Sequence, residues 1–316
     1  MIEWLFCYLH RSVPAVEINW REEAQAAEEC DFTCHSFAFE RFLEGDVAGA
    51  LEGLPDGEGR TLVYRGWILQ EEEYQELADF VSNRGYQLLT NCDQYMEAMT
   101  LPNWHPLVED LTPPAVWTWD EDIEEAWELA KKLGPAPYIV KDHVKSCKEA
   151  WVEACFVPKG ARRAKFKSVC EEMIERRADQ FQGGIVVRPF VPLRLITADW
   201  TGLPIHEEYR LVFWRGKMIL AAPYGGIGRD ETNEEGERQE WRREVDRKYG
   251  RLGERIRSDF FVADVARTLA GELILIEIND GSVAGLPPTI HPVEFYGLVA
   301  DIEGAVRQDD EEEWDE

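Results

Sequence analysis

The sequence predicts an α/β protein with about two domains. The chain has 316 residues, which is long for one compact core. Over its first third, short apolar segments typical of strands alternate with segments typical of helices, and this alternation favours a parallel sheet covered by helices. Pro113-Pro114 then interrupts the pattern, because proline cannot continue a helix. We place a domain boundary there, so that residues 1–114 form the first domain.

The first domain is predicted to contain strand-like and helix-like segments in turn. The strand-like segments are residues 4–9, 34–40, 61–66 and 86–91, and the helix-like segments are residues 21–30, 69–85 and 92–99. Gly85 ends the longest helix-like segment, and glycine is the residue that most often follows a helix in the left-handed conformation.

The chain beyond the boundary is predicted to contain long charged helices between apolar strands. Helices are expected at residues 120–134, 160–181 and 237–258, strands within residues 137–146 and 183–193, a hairpin at residues 207–224 and a strand pair at residues 260–281. The hairpin is expected to turn at Arg215-Gly216, and the strand pair at Ala270-Gly271. The acidic residues 308–316 are expected to form a disordered, solubilising end.

Composition limits the partners of the protein. The balance of 34 Lys+Arg against 62 Asp+Glu gives a net charge of −28, and such a surface repels nucleic-acid backbones. No signal peptide is evident and no apolar segment reaches the length of a membrane span, so we expect a cytoplasmic protein that does not bind membranes. The seven cysteines include no C-x-x-C pair, which is typical of reduced thiols. The oligomeric state is not indicated.

Residues 272–281, ELILIEINDG, end an apolar strand with polar groups. Glu277 and Asn279 are two residues apart, and side chains two apart on a strand point to the same face. Asp264, on the preceding predicted strand, could reach the same place. All three offer oxygen atoms, which are the ligands that Mg²⁺ prefers. For Asp280, a further ligand and a turn-forming residue are both open.

Cationic side chains precede these oxygen donors on or beside apolar strands. Lys141 could simply be solvated at a strand end, whereas Arg188 and Arg210 need partners if they are buried. Arg210 could pair with Glu207 or Glu208. The order along the chain is more informative than any one of these residues.

The motifs YIVKDH, IVVRPFV, EEYRLVF, VADVAR and LIEIND carry this order, and together they resemble the ATP-grasp enzymes. They are similar to the lysine strand, the adenine hinge, a phosphate-binding arginine strand and the two metal-binding strands of that superfamily. The two arginines and the lysine, with VKDHVKS and INDGSVAGLP, resemble a bacterial and phage clade that is named for those residues. Arg188 departs from the wider superfamily, in which an acidic residue is more common at that place.

The resemblance implies a fold and its cofactors. An ATP-grasp domain of α+β character would cover residues 115–307, with lobes at about residues 115–187 and 188–307 that hold the nucleotide between them. The first domain would be the small α/β pre-grasp domain. ATP and Mg²⁺ would be the cofactors, with Mn²⁺ as a possible substitute.

The resemblance also implies roles for individual residues. The nucleotide would be bound by Lys141, Lys145, Ser146, Arg188, Pro189, Phe190 and Val191. The metal would be held by Asp264, Glu277 and Asn279. Arg210 would contact the transferring phosphoryl group, and Arg188 would bind substrate or pair with an acid. Because Pro189 has no N–H, the adenine would accept a hydrogen bond from Phe190 or Val191. For the glycine-rich residues 224–229, a flexible connection is favoured over a phosphate contact.

The implied activity is an ATP-dependent ligation. A substrate carboxylate would form an acyl phosphate with the γ-phosphoryl group of ATP, and an amine, or less often a thiol, would displace the phosphate. The carboxylate could belong to a small molecule, a peptide or a protein. Two alternatives remain open, namely an ATP-binding assembly factor for a protein partner and a kinase that stops after phosphoryl transfer.

Overall fold

The structure of the chain, a computed structural model, describes residues 1–8, 16, 18–135, 137–198, 204–224 and 235–313. Most of the glycine-rich stretch, residues 225–229, and the last three residues of the acidic end, 314–316, lie outside the described residues. The chain divides into two compact units. The first unit contains Met1–Met96, Tyr209–Val262 and Asn279–Glu316, and the second unit contains Glu97–Glu208 and Ala263–Ile278.

The amino-terminal part of the first unit is built on a four-stranded parallel sheet. Its strands are β1 (Ile2–Tyr8), β2 (Thr33–Ala38), β3 (Thr61–Arg65) and β4 (Gln87–Leu88), in the order β2-β1-β3-β4. The helices that follow these strands are α1 (Ile18–Glu29), α2 (Phe39–Leu43), α3 (Val47–Ala50), α4 (Glu71–Asn83) and α5 (Cys92–Met99). β1 is buried over almost its whole length, which explains why its sequence is apolar except at Glu3. The predicted α/β class is therefore confirmed.

The second unit contains an antiparallel sheet with a helical cover. The strands are β5 (Val116–Trp117), β6 (Tyr138–Asp142), β7 (Phe156–Val157) and β8 (Ile185–Pro189), in the order β5-β8-β6-β7. The helices are α6 (Leu101–Trp104), α7 (Ile123–Ala130) and α8 (Arg163–Arg177). Asp122 caps α7 by accepting the N–H groups of Glu124 and Glu125. Phe166, Val169 and Met173 of α8 join Val140 and Val187 of the sheet in one apolar core.

The remaining strands form a two-stranded and a four-stranded sheet. The small sheet pairs β9 (Leu195–Ala198) with β10 (Pro204–His206), and the larger one contains β11 (Glu208–Trp214), β12 (Lys217–Tyr224), β13 (Phe260–Arg267) and β14 (Leu273–Asp280), in the order β12-β11-β13-β14. The last two helices are α9 (Glu235–Tyr249) and α10 (Pro292–Glu313). Short 3-10 turns occur at His105–Leu107, Lys131–Leu133, Lys148–Ala150, Ala178–Gln180 and Leu252–Glu254, and a π-helical turn at Trp151–Cys155.

The turns predicted at Gly85 and at Arg215-Gly216 agree with the structure, in which these residues have a left-handed backbone. Gly85 follows α4 with φ +83°, and Arg215 and Gly216 make the β11–β12 turn with φ +45° and +73°. The predicted helix over residues 237–258 is too long, because α9 ends at Tyr249. A Cβ atom at Gly253 would lie 2.1 Å from the carbonyl oxygen of Gly216, so the chain passes close to the hairpin turn at that residue.

The aromatic side chains of the first unit join chain segments that are far apart in sequence. The Trp4 ring lies 5.8 Å from the Trp214 ring and 4.8 Å from the Tyr296 ring, and both partners belong to the carboxyl-terminal half of the chain. The compact units therefore follow packing rather than chain order. The proposed domains 1–114 and 115–307 stay a prediction.

The carboxyl-terminal end is helical as far as it is described. α10 runs to Glu313, so residues 308–313 of the predicted disordered end lie in a helix in the structure. Among the described residues, every helix is too short or too polar to span a bilayer.

Candidate functional site

Lys141 and Glu277 are 136 residues apart in sequence and meet as an ion pair in the second unit. The Lys141 ammonium donates to the Glu277 carboxylate, with 2.9 Å between Nζ and Oε1, and to the carbonyl of Val144 at 3.0 Å. Lys141 is buried on β6, and Glu277 lies, largely buried, on β14. The structure thus brings together the predicted phosphate-binding lysine and one predicted metal ligand.

Neighbouring lysines set the charge of Glu277. Burial alone would raise the pKa of the Glu277 carboxyl, but Lys141, Lys145 and Lys148 outweigh burial and hold that pKa well below its usual range. Glu277 is therefore ionised at physiological pH. A charged carboxylate is the state that a metal ligand requires.

Lys148 is the third lysine of this charged cluster, which consists of Glu277, Lys141, Lys145 and Lys148. Its part in the cluster is not evident from the sequence motifs. The residue keeps more than a third of its surface exposed, but its charge lies among carboxylates. Burial lowers the pKa of the Lys148 ammonium, yet Glu277, Glu208 and Asp264 together raise it above its ordinary value. The signal in the sequence was the recurrence of lysine at positions 141, 145 and 148 of one segment.

A buried aspartate shapes the turn that carries these lysines. Asp142 Oδ1 accepts hydrogen bonds from the N–H of Val144, at 2.7 Å, and from the N–H of Lys145. Asp142 Oδ2 accepts a hydrogen bond from Nε of Arg177 at 2.7 Å. This is an aspartate turn that a salt bridge holds in place. Ser146 follows the turn, and its role in nucleotide binding stays a prediction.

Arg188 is bound to the protein rather than directed freely into a site. Its Nη1 donates to the carbonyl of Ile276 at 2.8 Å, and its Nη2 donates to Thr112 Oγ1 at 2.7 Å and to the carbonyl of Pro113 at 3.2 Å. Burial lowers its pKa to about 10, and Glu277 opposes that effect. These bonds favour a role in fixing β14 one residue before Glu277. The predicted contact of Arg188 with substrate or nucleotide stays a prediction.

At the predicted hinge, one of the two expected backbone donors is already bound to the protein. The N–H of Phe190 donates to the carbonyl of Pro137 at 2.7 Å. Of the two donors predicted for adenine, Val191 is therefore the one that is not bound to Pro137. The Phe190 ring lies 5.3 Å from the Phe156 ring and 6.1 Å from the Trp151 ring. These aromatic faces form an apolar surface beside the hinge.

The predicted metal ligands lie on neighbouring strands. Asp264 is on β13, Glu277 and Asn279 are on β14, and the two strands are adjacent in their sheet. Within the described part of the chain, no group of three His, Cys, Asp or Glu side chains could hold a metal by itself. Two carboxylates and a carboxamide nevertheless suit Mg²⁺, which binds few protein groups and takes its other ligands from phosphate oxygens and water.

Arg210 and Asp280 belong to the first unit. Arg210 is buried on β11, where Nη1 donates to the carbonyl of Gly285 at 2.7 Å and the guanidinium lies 3.8 Å from the centre of the Tyr224 ring. Asp280 is fully buried, which raises its pKa to about 7, and it accepts hydrogen bonds from Ser258 Oγ and the Ser282 N–H. These bonds favour the turn-forming role of Asp280. The phosphoryl contact of Arg210 stays a prediction.

Solved structures share this fold. D-cycloserine synthetase DcsG matches with a TM-score of 0.58 at 16% identity, over 95% of this chain and 99% of that one. D-alanine–D-alanine ligase from Bacillus anthracis, complexed with ATP, matches with a TM-score of 0.56 at 13% identity, over 98% of each chain. The ATP-grasp ligase PsnB, complexed with a minimal precursor, matches with a TM-score of 0.52 at 12% identity, over 96% of this chain and 98% of that one. At these identities the likeness shows the ATP-grasp fold, and that fold is typical of a class of enzymes, the ATP-dependent ligases.

The sequence places the chain within that class. A family model matches residues 132–299, which is more than half of the chain, and it describes the ATP-grasp domain of family 3 in the clade named for two arginines and a lysine. The chain belongs to this family, as its motifs predict. The matched range includes every predicted site residue. A comparison with curated protein sequences gave no match.

Proposed function

We propose that this protein joins a carboxylate to an amine, or to a thiol, with ATP as the energy source and an acyl phosphate as the intermediate. The observation that carries the proposal is the largely buried Lys141–Glu277 pair, with Lys145, Lys148 and Asp264 close to it. Burying several charges is seldom the most stable way to fill a core. The cluster suits a nucleoside triphosphate with its metal, because the lysines can face phosphate oxygens and the carboxylates can face a cation.

The nucleotide would lie with its adenine at the hinge. The Val191 N–H is the donor that we assign to the base, since the Phe190 N–H is already bound to Pro137. The apolar faces of Phe190 and Trp151 would cover the ring. Lys141 would then contact the phosphates at the far end of the same sheet.

The chemistry is a phosphoryl transfer followed by an acyl transfer. A carboxylate oxygen attacks the γ-phosphorus, the bond from that phosphorus to the β–γ bridging oxygen breaks, and ADP leaves. The amine nitrogen then bonds to the acyl carbon, the bond to the phosphate oxygen breaks, and the amine loses a proton as phosphate leaves. Mg²⁺ or Mn²⁺, held by Asp264, Glu277 and Asn279, would supply charge neutralisation at the phosphates. Lys141 and Arg210 would orient the transferring group.

The acid and the nucleophile are proposed only by class. Two of the structures that share the fold are a D-alanine–D-alanine ligase and a D-cycloserine synthetase, and a third is a ligase complexed with a minimal precursor. The first of these supports an amino acid as the carboxylate partner. The net charge of −28 supports a small molecule, a peptide or a protein over a nucleic acid.

A cytoplasmic location is part of the proposal. All seven cysteines are free thiols, and four of them are buried. Free thiols are typical of a reducing compartment.

Product analysis tests the proposal. The protein is incubated with Mg-ATP and a pool of amino acids and short peptides, and the products are separated by mass spectrometry. ADP together with a mass equal to two substrates less one water supports ligation. ADP with a phosphorylated acid that is stable to added amines indicates a kinase. Tight ATP binding without any turnover, and with a stable protein partner, indicates an assembly factor and would contradict the proposed ligation.

A further inference from the structure

We propose that Arg65 is a positioning residue for the catalytic strand β14. It anchors residues 281–285, the segment that directly follows Asn279 and Asp280. Neither the sequence motifs nor the family match, which begins at residue 132, gives Arg65 a role. The catalytic consequence rests on the proposed function, whereas the anchoring itself is a matter of geometry within the first unit.

Arg65 uses its guanidinium as a bridge. At the end of β3 it is fully buried, and its Nε and Nη2 each donate to one oxygen of Glu23 at 2.8 Å. Its Nη1 donates to the carbonyl oxygens of Gly281 and, at 2.6 Å, of Ala284. The guanidinium also lies 4.5 Å from the centre of the Trp20 ring. One side of the fork therefore holds α1, and the other side holds the segment after β14.

Glu23, the carboxylate that pairs with Arg65, is itself fixed by a second partner. Glu23 is buried and accepts a further hydrogen bond from the hydroxyl of Tyr296 on α10, at 3.1 Å. Burial lowers the pKa of Arg65, but Glu23 and Tyr296 raise it above its ordinary value, so Arg65 is charged. A buried ion pair is rarely retained for stability alone, since apolar residues of similar size often serve as well. Its two bonds to main-chain carbonyls indicate that it fixes backbone position.

Other donors complete the anchoring of the same segment. The Gly66 N–H, next to Arg65 in sequence, donates to the carbonyl of Ser282 at 2.9 Å, and Arg210 donates to the carbonyl of Gly285. Four of the five carbonyl groups in residues 281–285 thus accept hydrogen bonds from β3, the residue after it or β11. At Gly281, a Cβ atom would lie 2.3 Å from the Phe260 ring, so the chain passes close to the core there. The backbone after Asn279 has little freedom while Arg65 is in place.

The test compares Arg65→Lys with Arg60→Lys. Arg60 is the matched control because it also lies in the amino-terminal part of the first unit and bridges a buried carboxylate, Glu3, to main-chain carbonyls, those of Gly57 and Asp56. Lysine keeps the charge at either position but lacks the planar fork with which arginine holds a carboxylate on one side and carbonyls on the other. We measure amide hydrogen exchange by mass spectrometry, Mg-ATP affinity and ADP release, all well below the melting temperature.

In Arg65→Lys we expect the amides of residues 280–286 to exchange at least about tenfold faster, because the anchoring bonds are lost. Turnover should fall at least about tenfold while Mg-ATP affinity changes less than about threefold, which is the pattern of a residue that acts on geometry. Arg60→Lys should leave both unchanged. Unchanged exchange in Arg65→Lys, or equal effects in both variants, would overturn the proposal.

A second variant and the exchange readout keep the test decisive. If Arg65→Lys does not fold, Glu23→Gln leaves Arg65 in place with a weaker anchor and should show the same changes at smaller size. Faster exchange with wild-type turnover would reject the positioning role. If the wild-type protein turns over no substrate, the proposed function fails, and the exchange rates alone then decide whether Arg65 anchors the segment.

Discussion

Single side chains in this protein acquire their chemistry from charged neighbours. Glu277 stays ionised in a largely buried place because three lysines outweigh burial, and Lys148 stays charged because three carboxylates do the same. The lysines and the carboxylates each keep the other charged, so the cluster carries the positive and the negative charges that a metal–phosphate site needs. Lys148 is also the least constrained member, since much of its surface is exposed and no β-strand holds it.

The first prediction concerns Lys148. Replacing it by alanine leaves Glu277, Glu208 and Asp264 with one nearby cation fewer, so phosphate groups would meet less compensated negative charge. We expect Lys148→Ala to bind Mg-ATP about tenfold more weakly, or about 1.4 kcal/mol, by calorimetry. Lys167→Ala is the control, because Lys167 is exposed on α8 and pairs with Glu171 of the same helix. Equal affinities in the two variants would remove Lys148 from the site.

The second prediction concerns stability and pH, and it is independent of the site. Buried Glu3 contacts Arg60 at 2.6 Å, His35 at 2.7 Å and the Tyr86 hydroxyl at 2.9 Å. Burial raises the pKa of Glu3, but these partners together bring it below its ordinary value of 4.5. A folded-state pKa below the unfolded one means that the stabilisation is complete above about pH 4.5 and is lost as the pH falls.

Glu3→Gln should therefore be less stable than the wild-type protein at pH 7, and the difference should shrink as the pH falls below about 4.5. Urea unfolding at a series of pH values measures it. A difference that stays constant from pH 7 to pH 3 would show that Glu3 is not stabilised as an anion.

Among the structural elements, the proposed hinge at the end of β8 leads to the most specific prediction for ligand binding. Its backbone donors are limited, because Pro189 has none and the Phe190 N–H is bound to Pro137. Val191 is therefore the donor that we assign to adenine. The neighbouring turn after β6, which carries the lysines that we propose for the phosphates, is fixed by hydrogen bonds of Asp142.

The third prediction follows from the hinge. Val191→Pro removes the one N–H that we assign to the base, whereas Val191→Ala keeps it and is the control. We expect Val191→Pro to bind ATP about tenfold more weakly than Val191→Ala, the cost of one lost hydrogen bond. If both variants bind ATP equally well, the adenine does not use this N–H, and the assignment of the hinge is wrong.

The sequence predicts the elements best where the signal is local. Helix α4 and its Gly85 end, the turn at Arg215-Gly216 and the strand that carries Glu277 and Asn279 all depend on residues within a few positions of one another. The end of α9 was predicted too late: the helix ends at Tyr249, directly before Gly250, whereas the charged pattern was extended to residue 258.

For the molecule as a whole, the parts of the site that sequence reasoning missed are the long-range ones. The sequence motifs place Lys141 and Glu277 in one site but do not predict that they form an ion pair. Lys148 was missed because its three carboxylate partners come from distant segments of the chain. Arg65 was missed because the residues it anchors lie more than 200 positions away. The class of the protein was nevertheless predictable, since the order of its charged residues along the strands is a property of the sequence.

The central claim is that Asp264, Glu277 and Asn279 hold the metal of a bound nucleotide. Calorimetry with Mg-ATP on the combined variant Glu277→Gln with Asn279→Ala tests it most directly, with Glu303→Gln as the control. Glu303 is a buried glutamate that pairs with a cationic side chain, that of Arg215, but it lies on α10.

We expect the combined variant to lose at least about 100-fold in Mg-ATP affinity, because two metal ligands are removed, and we expect the control to bind as the wild-type protein does. The loss should be much smaller when ATP is titrated without a divalent cation. Wild-type affinity for Mg-ATP in the combined variant would contradict the account.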